Sequence, residues 1–170
     1  MKSLKYFLGF VGLLVLALIG FMVYTYTPRA GGPVTNQTHQ TEKVKIFLTN
    51  PTDTDMEFVA VDREVAKSNV FETLVAETLT ELIKGPTATE KLQGLSAPFN
   101  DGTVVNYVKI SGNTLIVDFN DRFDFQMGGS MRVRAIFQMI DRTVRQFPLD
   151  GVTQLKLTVN RGEREAVLEP

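Results

Sequence analysis

Residues 6–26 carry no charged side chain, and this run constrains the 170-residue chain more than any other feature. A bilayer core offers no water to backbone N–H and C=O groups, so a segment that crosses it must satisfy them internally, as a helix. Twenty-one residues at about 1.5 Å each reach roughly 31 Å, the thickness of the hydrocarbon layer. Tyr6 marks one end and Tyr24 and Tyr26 the other, where amphipathic rings favour the interface. Lys2 and Lys5 precede the run, and Arg29 alone follows closely. The positive-inside bias therefore makes residues 1–5 a cytoplasmic tip and puts the rest outside the cell. A cleaved secretory leader is the alternative. It needs a shorter apolar core of roughly 7–15 residues and a small-x-small site. Met22, Val23, Tyr24, Thr25 and Tyr26 offer no such site, and no cysteine is present to carry a lipid. The expectation is an uncleaved, single-pass signal anchor in the cell membrane.

Residues 27–41 read as a flexible linker. Pro28, Gly31, Gly32 and Pro33 are followed by Thr, Asn and Gln, too polar to offset the entropy of ordering. His39, the one histidine, lies here, where a preorganised catalytic site is not expected. Asn36, Gln37 and Thr38 match the short glycosylation sequon. With no cysteine, disulfides, zinc–thiolate sites and cysteine nucleophiles are excluded. Eighteen basic against nineteen acidic residues is a poor footprint for a nucleic-acid binder.

Residues 42–170 read as one extracytoplasmic domain. Val44, Ile46 and Leu48 alternate with Lys45 and Phe47 as a strand ended by Asn50-Pro51, and residues 58–65 form a second. A helix follows, capped by Ser68 or Asn69, with Glu72 placed for a capping box. Its apolar stripe is Val70, Phe71, Leu74, Val75, Leu79, Leu82 and Ile83. Lys84, Gly85 and Pro86 stop it. A loop leads through Pro98 to an Asp101-Gly102 turn. Residues 103–110 are a strand with Val104, Val108 and Ile110 on one face, joined through Gly112-Asn113 to residues 114–119. There Leu115, Val117 and Phe119 share a face and Asp118 takes the other. A second helix spans residues 130–147. Ala135, Ile136, Met139, Ile140, Val144 and Phe147 face inward, and Arg132, Arg134, Gln138, Asp141, Arg142 and Arg145 face water. Residues 152–159 and 165–168 complete the set, joined by a turn at Asn160-Arg161-Gly162. Strands that bury one face and helices with one apolar stripe predict an α+β fold, a two-layer sandwich whose mainly antiparallel or mixed sheet is covered by two helices.

Several stretches together resemble the GerM domain of sporulation and spore-germination proteins. They are Val44-Lys45-Ile46-Phe47, the strand around Arg63, and the helix over residues 72–86 that ends in Leu82-Ile83-Lys84-Gly85-Pro86. Ala97-Pro98, Asp101-Gly102-Thr103-Val104, Val117-Asp118 and the helix end at Phe147-Pro148 continue the match. The likeness makes Arg63, Gly85, Pro86, Pro98, Gly102 and Asp118 the motif residues. Departures are the last turn, where the family often has Asp-Gly, and Ala97, where isoleucine is usual. The resemblance implies a membrane-tethered module similar to ring-building modules, a family not known as catalytic, and no cofactor.

Other candidates carry less chemistry. Asp53, Asp55, Glu57 and Glu64 imitate a calcium loop, but Phe58 stands where the sharp turn needs glycine, so a solvated acidic loop is expected. Asn120, Asp121 and Asp124 form a second acidic turn, pinned by Phe119, Phe123 and Phe125. Gly128-Gly129-Ser130 opens a helix where an anion can sit, without a nucleotide motif. Arg63 shares a face with Val59, Val61 and Val65, so it must reach the sheet edge or pair with a carboxylate. Residues 42–130 carry net charge −6 and residues 131–170 net +2, which permits head-to-tail association as well as two ordinary solvated surfaces. The function expected is a non-catalytic, membrane-anchored interaction module that meets cell-envelope proteins or itself. Alternatives are a glycan-, peptidoglycan- or small-ligand-binding domain, and a cell-wall hydrolase with paired carboxylates, which is disfavoured by the lack of tryptophan.

Overall fold

The first hairpin is longer than its apolar alternation suggested. A computed structural model describes residues 40–51 and 56–166, and there β1 spans Thr41–Pro51 and β2 Met56–Ala66. β1 therefore starts on the last residue assigned to the linker. The expected span and its ends, Tyr6 and Tyr26, lie outside the described residues, as does the rest of the linker through His39. Among the described residues no helix is long and apolar enough to cross a membrane.

β1 and β2 pair antiparallel from Thr41↔Ala66 to Pro51↔Met56. Helix α1 (Phe71–Lys84) follows, then a short helix α2 (Ala88–Leu92). β3 (Val105–Ser111) and β4 (Thr114–Phe119) make a hairpin whose two-residue turn has Gly112 at φ +60°. Helix α3 (Ser130–Val144) crosses over to β5 (Gln154–Val159), which lies parallel to β4, and β6 (Arg164–Glu165) closes the order β3-β4-β5-β6.

The class is α+β, but among the described residues there are two sheets rather than one, and three helices rather than two. The reason lies at the outer edge of β1. The Gln146 side chain accepts from the Lys45 N–H (2.7 Å) and donates to the Lys45 C=O (2.6 Å). Thr143 Oγ1 accepts from the Phe47 N–H at 3.2 Å, and Thr49 exchanges backbone bonds with Ser96 at 2.9 and 2.8 Å. These partners hold the positions another strand would need, so the first hairpin stays a separate sheet.

Both sheets still share one core. Ile46 and Leu48 from β1, Val75, Leu79 and Leu82 from α1, Leu115, Val117 and Phe119 from β4, and Ile136, Met139 and Ile140 from α3 are fully buried and contiguous. At about 25 cal/mol per Å² of apolar surface removed from water, this shared cluster is the main term holding the two sheets together.

Local differences from expectation have physical causes. α1 begins at Phe71, with Val70 at the cap position and more than half exposed. Ser68 Oγ accepts the Val70 N–H at 3.1 Å, so the Ser68 hydroxyl organises the entry and the Asn69–Glu72 capping box does not form. A true capping box forms instead at Thr87 and Glu90. α3 ends at Val144, since the Gln146 amide is turned to β1 and Pro148 disfavours helical geometry at Phe147. Phe147 then packs edge-on to Phe71, ring centres 6.0 Å apart. A bulge between Val105 and Tyr107 shifts the register of β3, so Val104 is exposed while Val108 is buried; Ile110, on the face of Val108 but next to the hairpin turn, is also exposed. Arg132 points into the fold rather than to water: its Nε donates to the Pro98 C=O (2.9 Å) and its Nη2 to Asn100 Oδ1 (2.7 Å). β6 lies at Arg164–Glu165, earlier than residues 165–168, of which 167 and 168 are outside the described residues.

Candidate functional site

Arg63 sits on the inner face of β2, opposite Val44, where an unpaired guanidinium would be costly. It meets Glu90 of α2 through two bonds, Nη2 to Oε2 at 2.6 Å and Nη1 to Oε1 at 2.9 Å. The two side chains are 13% and 15% exposed. Arg63 also donates to the Gly85 C=O at 3.4 Å, and Glu90 Oε2 accepts the Thr87 N–H at 2.8 Å. The Arg63 hydrogen bonds, against the opposing effect of burial and with help from Thr87, lower the Glu90 carboxyl to about 2. One ion pair thus fastens β2 to the turn between α1 and α2.

Gly85 makes that turn possible. Its φ of +76° is the left-handed region, its N–H reaches the Leu82 C=O, and a Cβ there would stand 3.5 Å from the Ala97 Cβ. Pro86 ends the helix. The segment after α2 is tied down by Asn100, whose Nδ2 donates to the backbone C=O of Arg122 (2.7 Å) and Phe125 (2.8 Å). The result is an open groove of about 470 Å³, lined by Gly85, Pro86, Ala97, Phe99 and Gly102 among others. Pro98 stands beside it with its carbonyl held by Arg132. Three motif residues, Gly85, Pro86 and Gly102, therefore line one groove. Among the described residues Asp101 is the only carboxylate lining it, and Lys84 and Lys91 are the lining cations.

Asp118 lies elsewhere, on the outward side of β4, yet it is fully buried. The turn at residues 160–162 and the bulge close over it. Thr158 Oγ1 (2.7 Å), Asn106 Nδ2 (2.8 Å), the Arg161 N–H (2.9 Å) and the Gly162 N–H (2.7 Å) all donate to its carboxylate. Burial raises its pKa, and the four donors more than offset this, leaving it below the usual range. Asn160, Arg161 and Gly162 all have positive φ (55°, 61° and 84°), a strained run that the carboxylate holds in place.

The remaining candidates resolve into local structure. Asp53 and Asp55 of the calcium-like loop lie outside the described residues. In the second acidic turn, Phe119 and Phe123 stack with centres 4.0 Å apart, and buried Asp124 pairs with Arg164. Phe125, expected to pin that turn, is half exposed with Arg122 over its ring. Gly129 caps α3 without a side-chain bond. Among the described residues no three His, Cys, Asp or Glu side chains gather as metal ligands. Two functional groups were missed in the sequence. Glu90 had a readable signal, since Thr87-x-x-Glu90 directly after Gly85-Pro86 is a capping-box pattern. Gln146 had none, because its partner is 101 residues away.

Among the described residues, two sheets and three helices around a shared core, with motif residues spent on its turns, define a small α+β module. A family model described as Germane, sporulation and spore germination, matches residues 45–165, and the chain belongs to that family. Among solved structures, the tandem GerMN domains of the sporulation protein GerM from Bacillus subtilis are similar, with TM-score 0.58 and 21% identity over 75% of this chain. This chain spans 42% of that one. The first GerMN domain of the same protein gives TM-score 0.52 and 23% identity, over 74% of this chain and 86% of that one. At such identities the likeness is one of fold. No curated protein matches.

Proposed function

We propose that the chain is a membrane-anchored module on the extracytoplasmic side that docks with cell-envelope proteins or with further copies of itself, and that it is not a catalyst. The observation that carries this reading is the commitment of its motif side chains to the scaffold. Arg63 is spent on Glu90 and Asp118 on four donors, so these groups hold turns and present surfaces. Membership of the Germane family and the uncharged run over residues 6–26 support the same reading. A hydrolase with paired carboxylates would want two of them facing across a cleft; among the described residues the groove beside Gly85 has Asp101 as its one lining carboxylate. That groove favours a second reading, binding of a glycan or small ligand. In-cell crosslinking of the full-length protein, with mass-spectrometric identification of what is captured, tests the proposal. Envelope proteins or a second copy are expected. A chain that remains monomeric and captures nothing, or an isolated domain that turns over cell-wall substrate, overturns it.

A further inference from the structure

The two edges of the first hairpin are treated differently. The outward N–H groups of Lys45, Phe47 and Thr49 on β1 are all taken, by Gln146, Thr143 and Ser96. In an antiparallel ladder, residues whose groups point outward on one strand face partners whose groups point outward on the other. The partners of Thr49, Phe47, Lys45 and Lys43 are Phe58, Ala60, Asp62 and Glu64, so the free edge of β2 carries their N–H and C=O groups. Among the described residues, none of these four N–H groups has a partner, and only the Asp62 C=O is engaged, by the neighbouring Arg63 Nη1 at 3.0 Å. Such an edge is a template for a further strand, and natural proteins usually cover it or make it hostile.

We infer that the outer edge of β2 receives an extended, lysine- or arginine-bearing segment of a partner protein as a third strand. The charge of the edge chooses the occupant. Ala60, Asp62 and Glu64 are exposed and their side chains share one face. Asp62 already holds Lys45 at 2.8 Å, while Glu64, opposite Lys43 in the ladder, makes among the described residues only the weak hydroxyl contact of Thr41 at 3.4 Å, so it keeps acceptor capacity for an added cation. An added strand places alternate residues directly beside Asp62 and Glu64, so cations there are favoured and carboxylates repelled. The same repulsion works against a second copy pairing through its own β2, since that brings Asp62 and Glu64 of both chains together. The intervening residues of the added strand fall on the other face, beside half-buried Val59 and Val61, and apolar side chains there extend that face. Backbone bonds supply attachment and the alternation supplies selectivity. This inference rests on the interaction-module reading and names one surface for it.

The test is hydrogen exchange of the full-length chain in detergent micelles, read over residues 56–66. The probe is a nine-residue peptide of alternating lysine and valine, with a glutamate–valine peptide as control. Slowed exchange with the lysine peptide is expected, with about tenfold weaker binding of the glutamate peptide. Ala60→Pro should weaken the lysine peptide about tenfold by removing one outward N–H. It leaves the hairpin ladder whole, because proline is tolerated where the N–H faces away from the neighbouring strand. Methylating the peptide's alternate amides that face β2 should abolish protection, and methylating the other set should not, which needs no change in the protein. The inference fails if the lysine peptide gives no protection over residues 56–66, or if the glutamate peptide does equally well. It also fails if these amides are already protected in the absence of peptide, either in proportion to chain concentration or until residues 27–39 are deleted. An unoccupied edge in a chain that still crosslinks to partners refutes this surface and leaves the interaction-module reading standing.

Discussion

Glu90→Gln removes a charge from the Arg63 pair while keeping nearly the same shape. Glutamine still accepts the Thr87 N–H, so the capping box survives and the loss is confined to the guanidinium. The magnitude follows from proton linkage. The folded carboxyl titrates near 2 against an ordinary 4.5, a difference that corresponds to about 3 kcal/mol of stability at neutral pH. Because the folded value is the depressed one, that contribution is complete above pH 4.5 and drains away as pH falls from there towards 2. With both side chains mostly shielded from water, Glu90→Gln should cost about 2–3 kcal/mol at pH 7, and the melting temperature should drop by roughly 10 °C. Urea and thermal unfolding of the fragment from residue 39 onward, at several pH values, read this out. Arg63→Met should cost a similar amount. The double variant should lose less than the two single losses combined, with a coupling of about 2 kcal/mol. The deficit of Glu90→Gln should shrink below pH 4.5, as Glu90 takes up a proton in the unfolded chain while the folded carboxylate stays charged until about 2. Additive single losses, or a deficit that is flat from pH 7 to pH 3, would refute the reasoning.

Three further outcomes follow from the same geometry. Asp118→Asn leaves at least one of four buried donors without an acceptor and should cost about 2–3 kcal/mol, measured by urea unfolding. Gly162→Ala puts a Cβ 3.0 Å from the Tyr107 hydroxyl at a φ of +84°, so a loss of about 1–2 kcal/mol in thermal unfolding is expected, partly restored when Tyr107→Phe is added. Gln146→Ala uncovers the outer edge of β1; about 1 kcal/mol of stability should go, and light scattering on heating should rise earlier than for the native domain.

Elements whose cause is local were legible in the sequence. The α1 stripe of Val75, Leu79 and Leu82 repeats at helical spacing, Gly85-Pro86 stops the helix by backbone chemistry alone, and Gly112-Asn113 makes a two-residue turn. The alternation of Leu115, Val117 and Phe119 likewise named the buried face of β4. What the sequence could not settle were pairings between distant segments. Whether Val44 to Leu48 joined one sheet or founded its own was decided by Thr143 and Gln146, which occupy the β1 edge from the end of α3 and the turn after it, about a hundred residues later. The carboxylate that meets Arg63, and the closure of residues 160–162 over Asp118, belong to the same class. Periodicity and turn chemistry act over a few residues and leave a mark in the order of letters. An edge capped by a side chain, or a buried charge finding its counterion, depends on how finished elements pack, and many sequences would satisfy either arrangement.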